Sequence, residues 1–151
     1  YYNRDLFADV MQISRHFGLP MRVWRRRRYA TPFLRNALPY LRRKGFVFAD
    51  TQMGIYGDST LATETERRSY YIDYLRSLPP GVHNIKLHIG PATTELKRLM
   101  GSRNAQFREV DYTVWTDSET KQIAHDLGIH FISYRPLQKL QRGFQAAHPQ
   151  L

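Results

Sequence analysis

The sequence predicts an α/β fold in which parallel strands alternate with helices. Short apolar, β-branched or aromatic runs centre near residues 20, 47, 86 and 131. Between them lie segments with helical spacing and well-marked starts and stops. Such alternation favours parallel strands joined by right-handed crossovers. Four strand-helix units amount to half of an eight-stranded barrel, whose usual length is about 250 residues.

The first helix is predicted over 4–17, "RDLFADVMQISRHF". Leu6, Val10, Ile13 and Phe17 recur there at three- and four-residue spacing, and Gly18 follows as a C-terminal stop. "LPMRVW" (19–24) then reads as a short strand. In "TPFLRNALPYLRRKG" (31–45), Thr31 is the expected N-cap, Pro32 the first helical position and Gly45 the terminator, while Pro39 predicts a kink or break. "FVFAD" (46–50) is a buried strand by composition.

A third helix is predicted over 61–78, with Thr63 and Glu66 spaced as a capping box and Tyr71, Leu75 and Leu78 on one face. "NIKLHI" (84–89) is the next strand, followed by a short helix over 93–100. The segment 101–117 reads as irregular. Residues 117–128 form a helix with Asp117 as cap and Gly128 at its end, and "IHFISY" (129–134) is the last strand. Residues 1–137 are read as the domain and 138–151 as a terminal tail.

Composition narrows the function. The 151 residues are long enough for one domain with a sizeable core. No apolar run reaches the ~18 residues of a membrane helix, so a soluble, cytoplasmic protein with no membrane partner is expected. The absence of cysteine removes disulfides, thiolate nucleophiles and cysteine-bound zinc together. Lys and Arg number 23 against 13 Asp and Glu, a formal charge of +10. Much of that excess lies in "RVWRRRRY" (22–29) and "LRRKG" (41–45). No helix-turn-helix, zinc finger or RNP-type motif accompanies it, so nucleic acid is not the expected partner.

Ligands of α/β sheets and barrels sit at the carboxyl ends of the strands. Here those ends are Arg25, Asp50, His88 and the pair Tyr134 and Arg135, all polar or ionisable after apolar stretches. His88 can either cap its strand or act as a general acid, general base or metal ligand. Gly90 and Pro91 behind it allow backbone to pass close to a ligand. Asp50 can bond a sugar hydroxyl, support a histidine, ligate a metal or cap a turn. His16, His83, His125, His130 and His148 form no HExxH-like pairing and read as structural or surface residues.

The runs "LPPGVHNIKLHIGPATTELKRL", "FREVDYTVWTD" and "LGIHFISYRPLQKLQR" resemble, in order and spacing, the C-terminal half of YdjC-like carbohydrate deacetylases, the family of the chitooligosaccharide deacetylases. "RDLFADVMQISRHFGLPMRV" is similar to the helix and strand that follow the family's "THxDSH" motif. The resemblance implies part, about half, of a distorted (β/α) TIM-like barrel and metal-dependent hydrolysis of N-acetyl groups on oligosaccharides. It gives His88 the place of a late active-site histidine, a proton donor or oxyanion partner. Arg108 and Asp111 match an Arg-x-x-Asp segment near the substrate, and Asp50 matches a polar strand end. Tyr134 and Arg135 fall in the closing Tyr-Arg-x-Leu phrase.

A divalent metal, magnesium or zinc, is the implied cofactor, and an N-acetylated oligosaccharide the implied substrate. The family's Asp-Asp strand end and "THxDSH" motif occur nowhere in the 151 residues. The chain is therefore expected to be weakly active or inactive alone. It would be either a piece of a longer enzyme or a domain that has lost hydrolysis, and two copies or an N-terminal partner could cover its open edges. The alternative is a non-catalytic α/β module that binds carbohydrate or nucleic acid.

Overall fold

The computed structural model describes residues 4–23, 32–54, 61 and 63–150. Among these the chain forms seven helices: α1 (Arg4–Phe17), α2 (Pro32–Arg43), α3 (Glu64–Arg76), α4 (Thr94–Met100), α5 (Ser102–Thr116), α6 (Ser118–Asp126) and α7 (Tyr134–Ala147). Strands β1 (Thr51–Met53) and β2 (His83–Ile85) pair in a small parallel sheet. The α/β mix is present, but helices dominate it. The chain divides into two compact units, one of Tyr1–Gln52, Val82–Asn84 and Phe131–Leu151, the other of Met53–Gly81 and Ile85–His130.

The first unit is built on Phe7, Met21, Val23, Leu41, Phe46 and Phe48. In the segments 21–23 and 46–48 alternate side chains are buried, the period of a strand. The Met21 N–H donates to the Val47 carbonyl at 2.8 Å. The expected strands at 19–24 and 46–50 are nevertheless coil over their described residues, and the ladder starts at Thr51. The pattern records burial on one side, which extended chain meets without ladder partners.

Two further expectations fail in this unit. Residues 129–134, read as the last strand, are coil over 129–133, where Phe131 and Ile132 are 60% and 55% exposed, and Tyr134 opens α7. Residues 138–147, read as tail, belong to α7 and help close the core. The fully buried Gln141 accepts from the Val47 N–H at 2.9 Å, and its amide nitrogen lies 2.9 Å from the Leu19 carbonyl and 3.2 Å from that of Ser14. One side chain thereby satisfies backbone groups from two distant loops.

The glycines that end α1 and α2 fit this arrangement. Gly18 and Gly45 have φ of +59° and +75°, and a Cβ on Gly45 would run into the Phe144 ring. Arg142 Nη2 donates to the Phe17 carbonyl at the end of α1, at 2.9 Å. Pro39 lies inside α2 without ending it. The expected N-cap Thr31 and strand-end Arg25 lie outside the described residues.

Helix α1 forms as its spacing predicts, but of its stripe Val10 packs against the core and the rest is largely exposed. Phe7 and Ser14 point into the core, whereas Leu6, Ile13 and Phe17 are 50%, 52% and 55% exposed.

The second unit is built on Met53, Tyr71 and Val114, with Ile85, Leu87, Val110 and Trp115 packed around them. Helix α3 begins with the expected capping box. The Thr63 hydroxyl accepts from the Glu66 N–H, and the Glu66 carboxylate accepts from the Thr63 N–H at 2.9 Å. Thr93 and Asp117 cap α4 and α6 by accepting from the Leu96 and Glu119 N–H groups. The segment 101–117, expected to be irregular, is instead the 15-residue α5. Its buried positions, Ala105, Phe107, Asp111 and Val114, include a carboxylate, which breaks the apolar stripe that periodicity detects. The strand expected over 84–89 pairs only over His83–Ile85, and the chain leaves it as coil through His88.

Candidate functional site

The chain leaving β2 turns on the sequence His88-Ile89-Gly90-Pro91-Ala92 before α4. At its start the Lys86 N–H donates to the Met53 carbonyl at 2.7 Å. The turn is then fastened to α5 twice. Gly90 N–H donates to the Arg108 carbonyl at 3.3 Å, and Ala92 N–H to the Glu109 carboxylate at 3.1 Å. Thr93 closes the turn by capping α4, accepting from the Leu96 N–H at 3.1 Å. His88 is half-buried, Ile89 is exposed, and nothing lies within 4 Å of the place a Cβ on Gly90 would occupy. Gly90 is thus not required by packing, and its backbone faces open space that a ligand could enter.

One turn along α5 from Arg108, Asp111 is buried. Its Oδ1 receives both Arg67 Nη1 and the Tyr71 hydroxyl, each at 2.8 Å. Arg67 is fully buried; its Nε donates to the Leu61 carbonyl at 2.7 Å and its guanidinium lies 4.6 Å from the centre of the Phe107 ring. Burial pushes the Tyr71 phenol well above its ordinary value, and the Asp111 charge and hydrogen bond push it in the same direction. Tyr71 therefore stays a neutral donor, and Asp111 stays engaged with two partners inside the unit. The sequence did not single out Arg67, and it read Tyr71 only as part of the apolar face of this helix. The available signal was spacing, since Arg67, Tyr71 and Leu75 follow one another at i, i+4 on the buried face of α3.

The remaining candidates belong to the first unit. Asp50 Oδ1 accepts from Arg42 Nη2 at 2.8 Å and its Oδ2 from the Val82 N–H at 3.0 Å, while the Asp50 N–H donates to the Val82 carbonyl at 2.6 Å. This reciprocal clip pairs the residues just before β1 and β2. Tyr134 opens α7, and its hydroxyl accepts from Asn84 Nδ2 at 3.0 Å. The Arg135 N–H donates to the Ser133 Oγ that caps the same helix. His83, read as structural, lies with Nδ1 2.7 Å from the Thr51 hydroxyl.

Of the six singled-out residues, His88, Arg108 and Asp111 thus lie in one unit and Asp50, Tyr134 and Arg135 in the other. Within their unit, His88, Arg108 and Asp111 are joined through the turn and α5. Among the described residues no three His, Cys, Asp or Glu side chains gather to hold a metal ion. The same residues include no helix long and apolar enough to cross a membrane.

The chain matches no protein-family model and no curated protein sequence.

Proposed function

We propose that this chain is a carbohydrate deacetylase-like domain that binds N-acetylated oligosaccharide at the His88–Ala92 turn and the adjoining stretch of α5. The observation that carries this reading is the pair of bonds from Gly90 and Ala92 to Arg108 and Glu109, which unites two segments of the deacetylase-like pattern. On this reading the imidazole of His88 faces the acetamido group as proton donor or oxyanion partner, a role that a ring nitrogen can fill. Arg108 contacts sugar hydroxyls. Asp111 acts through Arg67 and Tyr71, holding α5 in place. Asp50, Tyr134 and Arg135 are proposed as sugar contacts of the other unit taken by itself.

The finer fold reading is also a proposal: the parallel β1–α3–β2 unit is one repeat of a distorted (β/α) TIM-like barrel, of which the chain would form about half. No hydrolytic step is proposed through a metal, because the described residues offer no ligand set. Binding with weak or no hydrolysis is the expected behaviour of this polypeptide.

The test is a titration of an N-acetylated chitooligosaccharide followed by amide chemical shifts. Perturbations centred on Gly90 and Ala92, weakened in Arg108→Ala, are expected. Affinity should respond little to salt, whereas phosphate binding would fall by orders of magnitude over a few-fold increase. No shift at any accessible sugar concentration would refute the proposal.

A further inference from the structure

We propose that the first unit carries a surface for single-stranded nucleic acid, formed by the C-terminal ends of α1 and α2 with the stretch of α7 beside them. The net positive charge of the chain lies in that unit. It holds 14 Lys and Arg against 3 Asp and Glu, a formal +11, whereas the second unit holds 9 against 10, a formal −1. Without the four arginines at 25–28 the first unit still has 10 against 3. A cation or two answers a helix dipole, and of the three carboxylates Asp50 is already engaged with Arg42. The unit's own groups therefore leave most of this charge for an outside anion.

Packing gathers part of it. Arg142 lies against Gly18 and donates to the Phe17 carbonyl at the end of α1, while Phe144, two residues on, lies against Gly45 behind α2. The chains leaving the two helices are joined by the bond from the Met21 N–H to the Val47 carbonyl. Exposed Arg43 ends α2, Lys44 follows it, and exposed Lys139 precedes Arg142 by three residues on the same side of α7. Two rings stand among these cations, each about half exposed: Phe17, and Tyr40 with Lys44 Nζ 5.9 Å from its centre. Single strands are held in this way, with cations along the phosphates and aromatic rings stacked on unpaired bases, and no sequence motif is needed. The cations also suit phosphate, since 12 of the 14 are arginine, whose planar fork grips two phosphate oxygens. An anionic membrane draws lysine and arginine alike.

The test is a titration of the full chain with a fluorescent single-stranded oligonucleotide, followed by anisotropy over a range of salt. Arg43→Glu with Lys139→Glu is compared with Lys97→Glu plus Lys121→Glu, exposed positions of the second unit. Both pairs lower the net charge equally, and both should melt as wild type does because all four side chains are exposed. The first pair should weaken binding roughly tenfold at low salt and reduce the slope of log affinity against log salt by about 1.4. The second pair should leave both nearly unchanged. Phe17→Ala should weaken single-strand binding about fivefold and spare duplex binding. RNA and DNA strands of one sequence are run side by side; binding of either supports the proposal, and the tighter identifies the source. Equal losses in the two pairs would reduce the effect to overall charge and overturn the inference, whatever Phe17→Ala does. So would tighter binding of a duplex, or of vesicles rich in anionic lipid, than of the single strand.

Discussion

Asp111 shows how a residue's company decides its work. Its carboxylate neutralises a fully buried guanidinium and accepts a phenol hydrogen bond. Removing it should be costly, because an unpaired buried charge is far worse than a buried pair. Asp111→Ala is expected to lose about 3–5 kcal/mol of unfolding free energy in urea. Tyr71→Phe keeps the ion pair and should lose about 1.5–3 kcal/mol, the usual worth of a hydrogen bond to a charged group. Equal losses in the two variants would contradict the assignment. Asp117 gives a pH-dependent counterpart. Its hydrogen bond from Arg68 holds its carboxyl below the usual carboxylate range. A folded-state pKa below the unfolded one stabilises the fold at neutral pH, and that contribution is lost as pH falls from about 4 through the depressed folded value. Asp117→Asn should therefore flatten the melting temperature against pH below about 4, while melting lower than wild type at pH 7.

These residues differ in how readable they were. Thr63 and Asp117 were legible as caps because a cap and its target lie within three residues. The Arg67–Asp111 pair joins positions 44 apart, so it had no local signature. His88 was legible as the polar end of an apolar run, whereas the fastening of Gly90 and Ala92 behind it to α5 depends on a helix the sequence did not disclose.

Among elements, helix stops were read correctly where glycine has positive φ, as at Gly18, Gly45 and Gly128. Gly45→Ala should cost more than the ~1 kcal/mol of an ordinary left-handed penalty, because its new methyl meets Phe144 as well. Gly90→Ala should leave stability unchanged, since open space surrounds that position. The same substitution should weaken oligosaccharide binding if sugar approaches the turn backbone. Thr63→Ala should cost about 1 kcal/mol through the capping box of α3. Strands were over-read for one physical reason: the sequence records which side chains seek the core, and a ladder also needs a neighbour. Met21, Val23, Phe46 and Phe48 reach the core from extended coil, while Phe131 and Ile132 reach solvent. Helix α5 was under-read because a buried carboxylate interrupts its stripe.

For the whole molecule, the mixture of helices with a parallel strand pair was legible, but its proportions were not. The net charge of +10 predicts that nonspecific contacts with polyanions will be salt-sensitive. The specific claim concerns a neutral ligand at one turn. It is tested most directly by titrating wild-type chain and Arg108→Ala with an N-acetylated chitooligosaccharide at low and high salt. Saturable binding that perturbs Gly90 and Ala92, persists at high salt and weakens in the variant is the predicted result. Binding that vanishes with salt, or no binding at all, would contradict it.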